Sequence, residues 1–307
     1  MNDFGSLHYN AIGPWLKERF GVRMVKLSLD AGLSCPNRDG SRGTGGCSFC
    51  LGGSGGFAAQ ASSPELIASA AKQQIELLSR KWPEAGYIAY FQSFTNTYAP
   101  PDRLRALWDA ALSQPGVKGL AIATRPDCLG PDILELLAEF RERTFLWVEL
   151  GLQTSNEKTA AAFNRCYSNA EYEEAVKALS KLGIPYVTHL ILGLPGESRE
   201  DMLASAAYVS ELSPFGIKLH MLHLMRSTAM GEQYLKEPFP LLSLAEYSSL
   251  AVDILERLPA EITIHRLTGD APGEALIAPE WARNKHSVLN SIQQEFSRRG
   301  SFQGSLR

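Results

Sequence analysis

The chain lacks any apolar run long enough to cross a bilayer as a helix, which takes about 20 consecutive apolar residues. Its first residues, Met1 to His8, carry no basic stretch followed by an apolar one, so no secretory signal is expected there. Cysteine is scarce: five in 307 residues, an odd number without framework spacing. That excludes a disulfide-stapled secreted scaffold and points to a reducing compartment, with the cytoplasm as the expected location. Charge of one sign is lacking too. A formal net charge of −3 provides no global basic field for nucleic acid. No linker-like shift, repeat or low-complexity tract interrupts the chain. The Gly-rich stretch 52–56 is not followed by Gly-Lys-Ser/Thr, so it is no phosphate loop, and a flexible loop is expected there.

What is present is an alternation of short apolar runs with longer amphipathic stretches. Strands are predicted at 25–29, 87–91, 120–123, 145–150, 186–192 and 217–222. Most are apolar on both faces, as strands covered by helices are. Helices are predicted at 64–81, 101–112, 131–141, 172–182 and 199–212. Pro64, Pro101 and Pro131 stand where a first helical turn tolerates proline, Ser63 and Asp102 can satisfy free N–H groups, and Gly183 suits a helix end. Consecutive β-then-α units require crossover helices and therefore a parallel sheet. Six units make an open, partial α/β barrel more natural than a closed eight-fold one. A helix at 242–258, a strand at 261–265 and a helix at 284–298 then form a short C-terminal α/β extension. The organisation is a segment 1–23, a barrel 24–225 and an extension 226–307 packed on it, with a mobile tail from 297.

Three of the five cysteines, Cys35, Cys47 and Cys50, share one glycine-rich segment just past the first strand. That is the C-terminal rim of a parallel sheet, where α/β proteins build their sites. Cys47 and Cys50 give a tight chelate, and Gly40, Gly43, Gly45 and Gly46 let the loop fold back so that Cys35 reaches the same centre. Three ligands leave one coordination position open. A zinc site completed by Cys128, Cys166 or a histidine is one reading, a redox dithiol a second, and an iron–sulfur cluster with one non-cysteine position a third. Cys128 and Cys166 otherwise read as packing residues. Phe49 can wall off solvent, and Arg38 and Arg42 can offset thiolate charge.

Further signals are Cys35-Pro-Asn-Arg-Asp-Gly, Gly-Gly-Cys47-Ser-Phe-Cys50, Gln92-Ser-Phe-Thr-Asn-Thr97, Thr124-Arg-Pro-Asp127, Val148-Glu-Leu-Gly-Leu-Gln153, Asn164-Arg165, His189 through Gly193-Leu-Pro-Gly-Glu197, Lys218-Leu-His220 and Ala278-Pro-x-Trp281. In this order and spacing they resemble the radical S-adenosylmethionine (SAM) enzymes, and more narrowly the YhcC/YtqA-type family, a relative of the catalytic subunit of Elongator. The usual superfamily spacing is Cys-x3-Cys-x2-Cys; here eleven residues separate the first two cysteines, as in the narrower family. The resemblance implies a partial (β/α)6 radical SAM barrel. It implies that Cys35, Cys47 and Cys50 hold a [4Fe-4S] cluster whose fourth iron takes SAM, and that reduction cleaves SAM to a 5′-deoxyadenosyl radical.

The same resemblance places Gln153 and Arg165 on SAM, with a guanidinium suited to the methionine carboxylate. Gln92, Ser93, Thr95 and Asn96 stand where the superfamily carries Gly-Gly-Glu, so their polar groups are expected around SAM. Arg125, Glu149 and His189 complete the expected cofactor set; for His189 a hydrogen-bonded core histidine is the equal alternative. For Gly193-Leu-Pro-Gly196 the readings are close backbone approach to adenine or a plain turn. For Lys218, His220, Trp281 and Lys285 the readings are a nucleic-acid groove at the substrate side, basic groups on phosphate and Trp281 stacking on a base, or a solvated charged face plus a core tryptophan; the resemblance favours the first. The implied reaction is conversion of carboxymethylaminomethyl- to aminomethyl-uridine at the tRNA wobble position. The acetyltransferase domain of the Elongator subunit has no counterpart here, so carboxymethyl addition is not expected. Implied partners are SAM, tRNA and a low-potential electron donor such as flavodoxin or ferredoxin. Alternatives are a radical SAM enzyme acting on a small metabolite and a zinc-stabilised RNA-binding module without catalysis.

Overall fold

The computed structural model describes residues 4, 7–52, 60–269 and 273–307. The stretch 53–56, read above as a flexible loop, lies outside them.

The chain opens with α1 (Ile12–Phe20), β1 (Met24–Leu29) and α2 (Pro64–Ser79). It continues through β2 (Gly86–Phe91), α3 (Pro101–Leu112), β3 (Val117–Thr124), α4 (Pro131–Arg143) and β4 (Phe145–Gln153). Then come α5 (Glu157–Ala162), α6 (Asn169–Lys181), β5 (Tyr186–Leu192), α7 (Arg199–Glu211) and β6 (Gly216–Met221). The last part holds β7 (Leu224–Met225), α8 (Ala229–Lys236), α9 (Leu244–Arg257), β8 (Thr263–Arg266), β9 (Leu276–Ala278) and α10 (Lys285–Arg299).

The main sheet runs β1-β2-β3-β4-β5-β6-β8, with every neighbouring pair parallel. The strands curl into a half-barrel with helices on the outside. The six predicted strands are all present. The strand expected at 261–265 adds a seventh to the same sheet, beside β6. Side chains alternate between helix-facing and barrel-facing positions. In β4, Leu146, Val148, Leu150 and Leu152 join the large helix-side core, while Trp147 belongs to a separate interior cluster with Ile88, Tyr90, Ala121 and Val187.

Local chemistry sets the helix starts. Ser63 accepts from Leu66 N–H at α2, and Ser168, Ser198 and Ser243 each form a reciprocal capping box with an acid three residues on. The bottom of the barrel is closed by α1. Trp15 lies 4.9 Å from Phe215 and 5.8 Å from Phe145, and Arg19 sits 4.4 Å over the Phe145 ring. Asn10 ties this segment to β8 by accepting from Ile264 N–H at 2.7 Å.

The tail departs from expectation. Gln303 is fully buried; its amide donates to Pro259 and Ile262 carbonyls and accepts from Asn10 N–H. Gly304 and Leu306 N–H groups donate to Leu255 and Glu256 carbonyls. One buried amide with three partners anchors a segment whose composition reads as mobile. No helix among the described residues is long and apolar enough to cross a membrane.

Candidate active site

The first strand delivers the chain to the rim, where residues 30–52 fold over its C-terminal end. Cys35 is buried and Cys47 and Cys50 are partly buried; all are free thiols. Turns close at each end of the segment, Arg38 N–H donating to Cys35 O at 2.8 Å and Cys50 N–H to Cys47 O at 2.9 Å. The long insert between the first two cysteines is folded back by two asparagines. Asn37, fully buried, donates to Asn164 O and lies 3.5 Å from Cys47 Sγ. Asn164 donates to the carbonyls of Thr44 and Gly46 at 3.0 and 2.9 Å. Its φ of 63° is one that a short polar side chain tolerates. Ser48 N–H donates to Phe163 O, and Phe49 meets the Phe163 ring edge-on at 5.2 Å, so the cysteine loop is fastened to the end of α5.

The thiols feel one another. Burial, then the neighbouring Cys50, push Cys47 up to about 12, with Arg125 acting the other way. Burial likewise raises Cys50, opposed by Arg38. A single zinc ion draws its ligands to about 2.0–2.3 Å from one point. Among the described residues no three His, Cys, Asp or Glu side chains are grouped to hold one metal ion. A four-iron cube places each thiolate on a separate corner and does not ask for that convergence.

Beside the thiols runs the loop after β2. Gln92 N–H donates to Leu29 O and Thr95 N–H to Ser34 O, which stitches this loop to the cysteine segment. Ser93 and Phe94 both have positive φ, 72° and 54°. Such strain persists where the surroundings over-determine it, commonly at functional sites. The Asn96 amide donates to Ser93 O and Ala123 O, which leaves its Oδ1 buried and unpartnered. Thr95 Oγ1 and Arg38 Nη1 are buried without partners as well. Each such atom costs about 1–3 kcal/mol unless something binds it. Two oxygens able to accept, beside a guanidinium N–H and three thiols, fit a thiolate-held cluster and the ammonium of an amino-acid ligand.

Arg125, Gln153 and Arg165 converge on Tyr167. Both guanidinium carbons lie 4.7 Å from the Tyr167 ring, and the Tyr167 hydroxyl donates to Gly151 O and lies 3.1 Å from Gln153 Oε1. Gln153 closes β4 with a φ of 66° at a register shift. Arg165 departs from expectation. Its side chain is 1% exposed, and its five N–H groups go to Tyr167 O, Leu152 O, Thr154 O, Glu157 Oε2 and Asn169 Oδ1. No donor remains for a carboxylate, so Arg165 braces the turn that carries Gln153. Arg125 pairs bidentately with Asp127 at 2.9 and 2.8 Å and donates to Arg165 O at 3.0 Å. Burial works against its charge, and the Asp127 bonds outweigh that and hold its pKa above the ordinary value.

Inside the barrel Glu149 is completely enclosed. It accepts from Lys26 at 3.1 Å, Trp147 Nε1 at 3.0 Å, His189 at 2.9 Å and Lys218. Burial alone would raise its pKa, but Lys218 and Lys26 hold it well below the carboxylate range. Burial pushes Lys218 down to about 7 against the pull of Glu149. Burial and Lys218 push His189 down to about 4, so it is neutral. Glu149 and His189, expected on the cofactor, and Lys218, expected on substrate, are therefore one network. Lys26, Tyr90 and Trp147 belong to it and were not singled out in the sequence; a lysine within an apolar strand was the available signal.

The model of the radical SAM superfamily matches residues 39–209, and that of the radical SAM C-terminal domain matches 214–298. The chain belongs to the radical SAM superfamily. It is 46% identical to YtqA of Bacillus subtilis over 302 residues, covering 97% of this chain and 92% of that one. It is 35% identical to YhcC of Escherichia coli over 297 residues, covering 96% and 94%. A tRNA uridine(34) acetyltransferase of Dehalococcoides mccartyi is 30% identical over 161 residues, 50% of this chain and 34% of that enzyme. In fold, the archaeal Elp3 of Methanocaldococcus infernus superposes with a TM-score of 0.68 at 13% identity, over 91% of this chain and 64% of that one. Superfamily membership makes the chain an enzyme and implies a [4Fe-4S] cluster and SAM.

Against that radical SAM frame the remaining expected residues divide. His220 lies beside His189, the rings tilted and their centroids 5.4 Å apart, with its Nε2 buried and unpartnered. Lys285 is exposed and acts electrostatically on His223, together with Arg266. Trp281 takes the core alternative: its Nε1 donates to Leu242 O at 3.0 Å and its ring packs 5.4 Å from Tyr247, against the main core. It anchors the C-terminal part. Gly193 and Gly196 have φ of 88° and 83°, a turn leading into α7. Cys166 packs on Asn164 at 3.1 Å, and Cys128 lines an outer cleft of about 600 Å³ with Asp127, Tyr98 and Arg42.

Proposed function

We propose that Cys35, Cys47 and Cys50 hold the cluster and that the enzyme acts on a modified wobble uridine of tRNA, converting carboxymethylaminomethyl- to aminomethyl-uridine in the cytoplasm. The chemistry supplied when cluster and SAM are bound is hydrogen-atom abstraction by a 5′-deoxyadenosyl radical. Asn37 and Asn164 hold the cysteine loop in register. Thr95 Oγ1 and Asn96 Oδ1 receive the SAM ammonium, Gln153 meets SAM at the end of β4, and Arg165 and Tyr167 keep that strand end rigid. Phe49 and Phe163 exclude water on the outer side. A low-potential flavodoxin or ferredoxin supplies the electron.

The observation that supports a tRNA substrate is the shared segment with the tRNA uridine(34) acetyltransferase. The test is anaerobic incubation with SAM, dithionite and bulk tRNA from a strain lacking the gene, followed by nucleoside analysis. Loss of carboxymethylaminomethyl-uridine with gain of aminomethyl-uridine is the expected result. SAM turnover that ignores tRNA overturns the assignment and leaves a small metabolite as substrate.

A further inference from the structure

The interior network is unbalanced. Two ammonium groups, Lys26 and Lys218, lean on the single carboxylate of Glu149. Arg266 adds positive potential at both Lys218 and His220. An ammonium has three N–H donors. Those of Lys218 find two acceptors, Glu149 Oε2 and the Tyr90 hydroxyl at 3.1 Å. Two residues along the same strand and on the same face, His220 presents a buried ring nitrogen with no partner. The network is not sealed, since the side chains of Lys26 and His189 keep 25% and 20% of their surface.

We propose that Lys218 and His220 form an anion subsite inside the barrel that takes a carboxylate of the substrate. Alternate residues of a strand stand about 6.6 Å apart. That is the backbone spacing, and both side chains project from one face of β6, so a carboxylate held between them accepts from the third Lys218 N–H and from His220 Nε2–H. A carboxylate brings a second anion to a network in which two lysines share one glutamate. His189 stays on Glu149 and turns the network toward the opening. The subsite deepens the uridine reading, on which the identity of the carboxylate as the carboxymethyl group rests.

The test uses cluster-reconstituted protein with SAM under argon. Calorimetry compares 5-carboxymethylaminomethyluridine with its methyl ester, and the Trp147 indole N–H resonance is followed as N-methylglycine is added at millimolar concentration. The expected result is at least tenfold tighter binding of the acid, lost in His220→Phe, which keeps an aromatic ring and removes the Nε2 donor, and in Lys218→Met. Equal binding of acid and ester overturns the subsite and leaves the uridine reading standing. If neither nucleoside binds, but N-methylglycine shifts Trp147 in the parent and not in Lys218→Met, the subsite stands and the uridine reading falls. Silence of both probes overturns the subsite.

Discussion

The two ends of the barrel are built to different rules. At the bottom, α1 closes the strands with Trp15 against Phe145 and Phe215, apolar contacts that leave little for a ligand to do. At the top, the backbone is strained at Ser93, Phe94, Gln153, Asn164 and Cys166, and polar atoms of Arg38, Thr95 and Asn96 stand buried without partners. The difference locates function by its cost: the end that forgoes stability is the end that carries the thiols. Between them lies the Glu149 network, with Lys26, His189 and Lys218 on one carboxylate.

The contrast can be broken by substitution. The largest effect is expected at Cys47→Ala, which removes a thiol of the rim. Iron content and charge-transfer absorbance after anaerobic reconstitution should fall to background while circular dichroism stays native; unchanged iron would remove the rim from the account. Next is Glu149→Ala, which leaves Lys26 and Lys218 buried without their anion. Urea denaturation should show a loss of about 3–5 kcal/mol. Trp15→Ala acts at the bottom alone. A stability loss of about 2 kcal/mol is expected with the rate of SAM cleavage unaltered, and a lowered rate would show that the two ends are coupled. Asn164→Ala loses the clamp on the cysteine loop. About 1–3 kcal/mol is expected, together with poorer iron retention, which gel filtration of the reconstituted protein measures.

The smallest effect is that of pH. His189 titrates at about 4 in the fold, below its ordinary value, because it is buried beside Lys218. A depressed histidine contributes stability that is complete above about 6.5 and is lost as pH falls toward 4. Lys218, lowered to about 7, acts in the same direction over a higher range: its cost grows as pH drops from the ordinary lysine value and is complete below 7. Below neutrality the slope is therefore set by the histidines until Glu149 protonates. Between pH 7 and 5 the stability of the parent relative to His189→Gln should fall on the order of 1–3 kcal/mol; no difference in slope would place His189 outside the enclosed network.

Much of this was legible in the sequence. The six strands are apolar runs bounded by turn residues, and the cysteine segment lies at the rim because it follows the first of them. What was not legible depends on distance along the chain. Glu149 meets Lys26 and Lys218 across 123 and 69 residues, so no local pattern reports the network. Arg165 reads as a carboxylate fork until its acceptors can be counted. Trp281 reads equally as a stacking face or a core ring until Leu242 and Tyr247 are seen against it. Gln303 turns a glycine- and serine-rich tail into a fixed one through partners more than 40 residues away. The short α1, α5 and α8 escaped because each offers only two or three turns of periodicity.

The most direct measurement is release of 5′-deoxyadenosine from SAM by the anaerobically reconstituted enzyme after dithionite is added, run beside Cys50→Ala. Release by the parent and none by the variant is expected, with both proteins folded. Release by Cys50→Ala, or none by an iron-loaded parent, would contradict that.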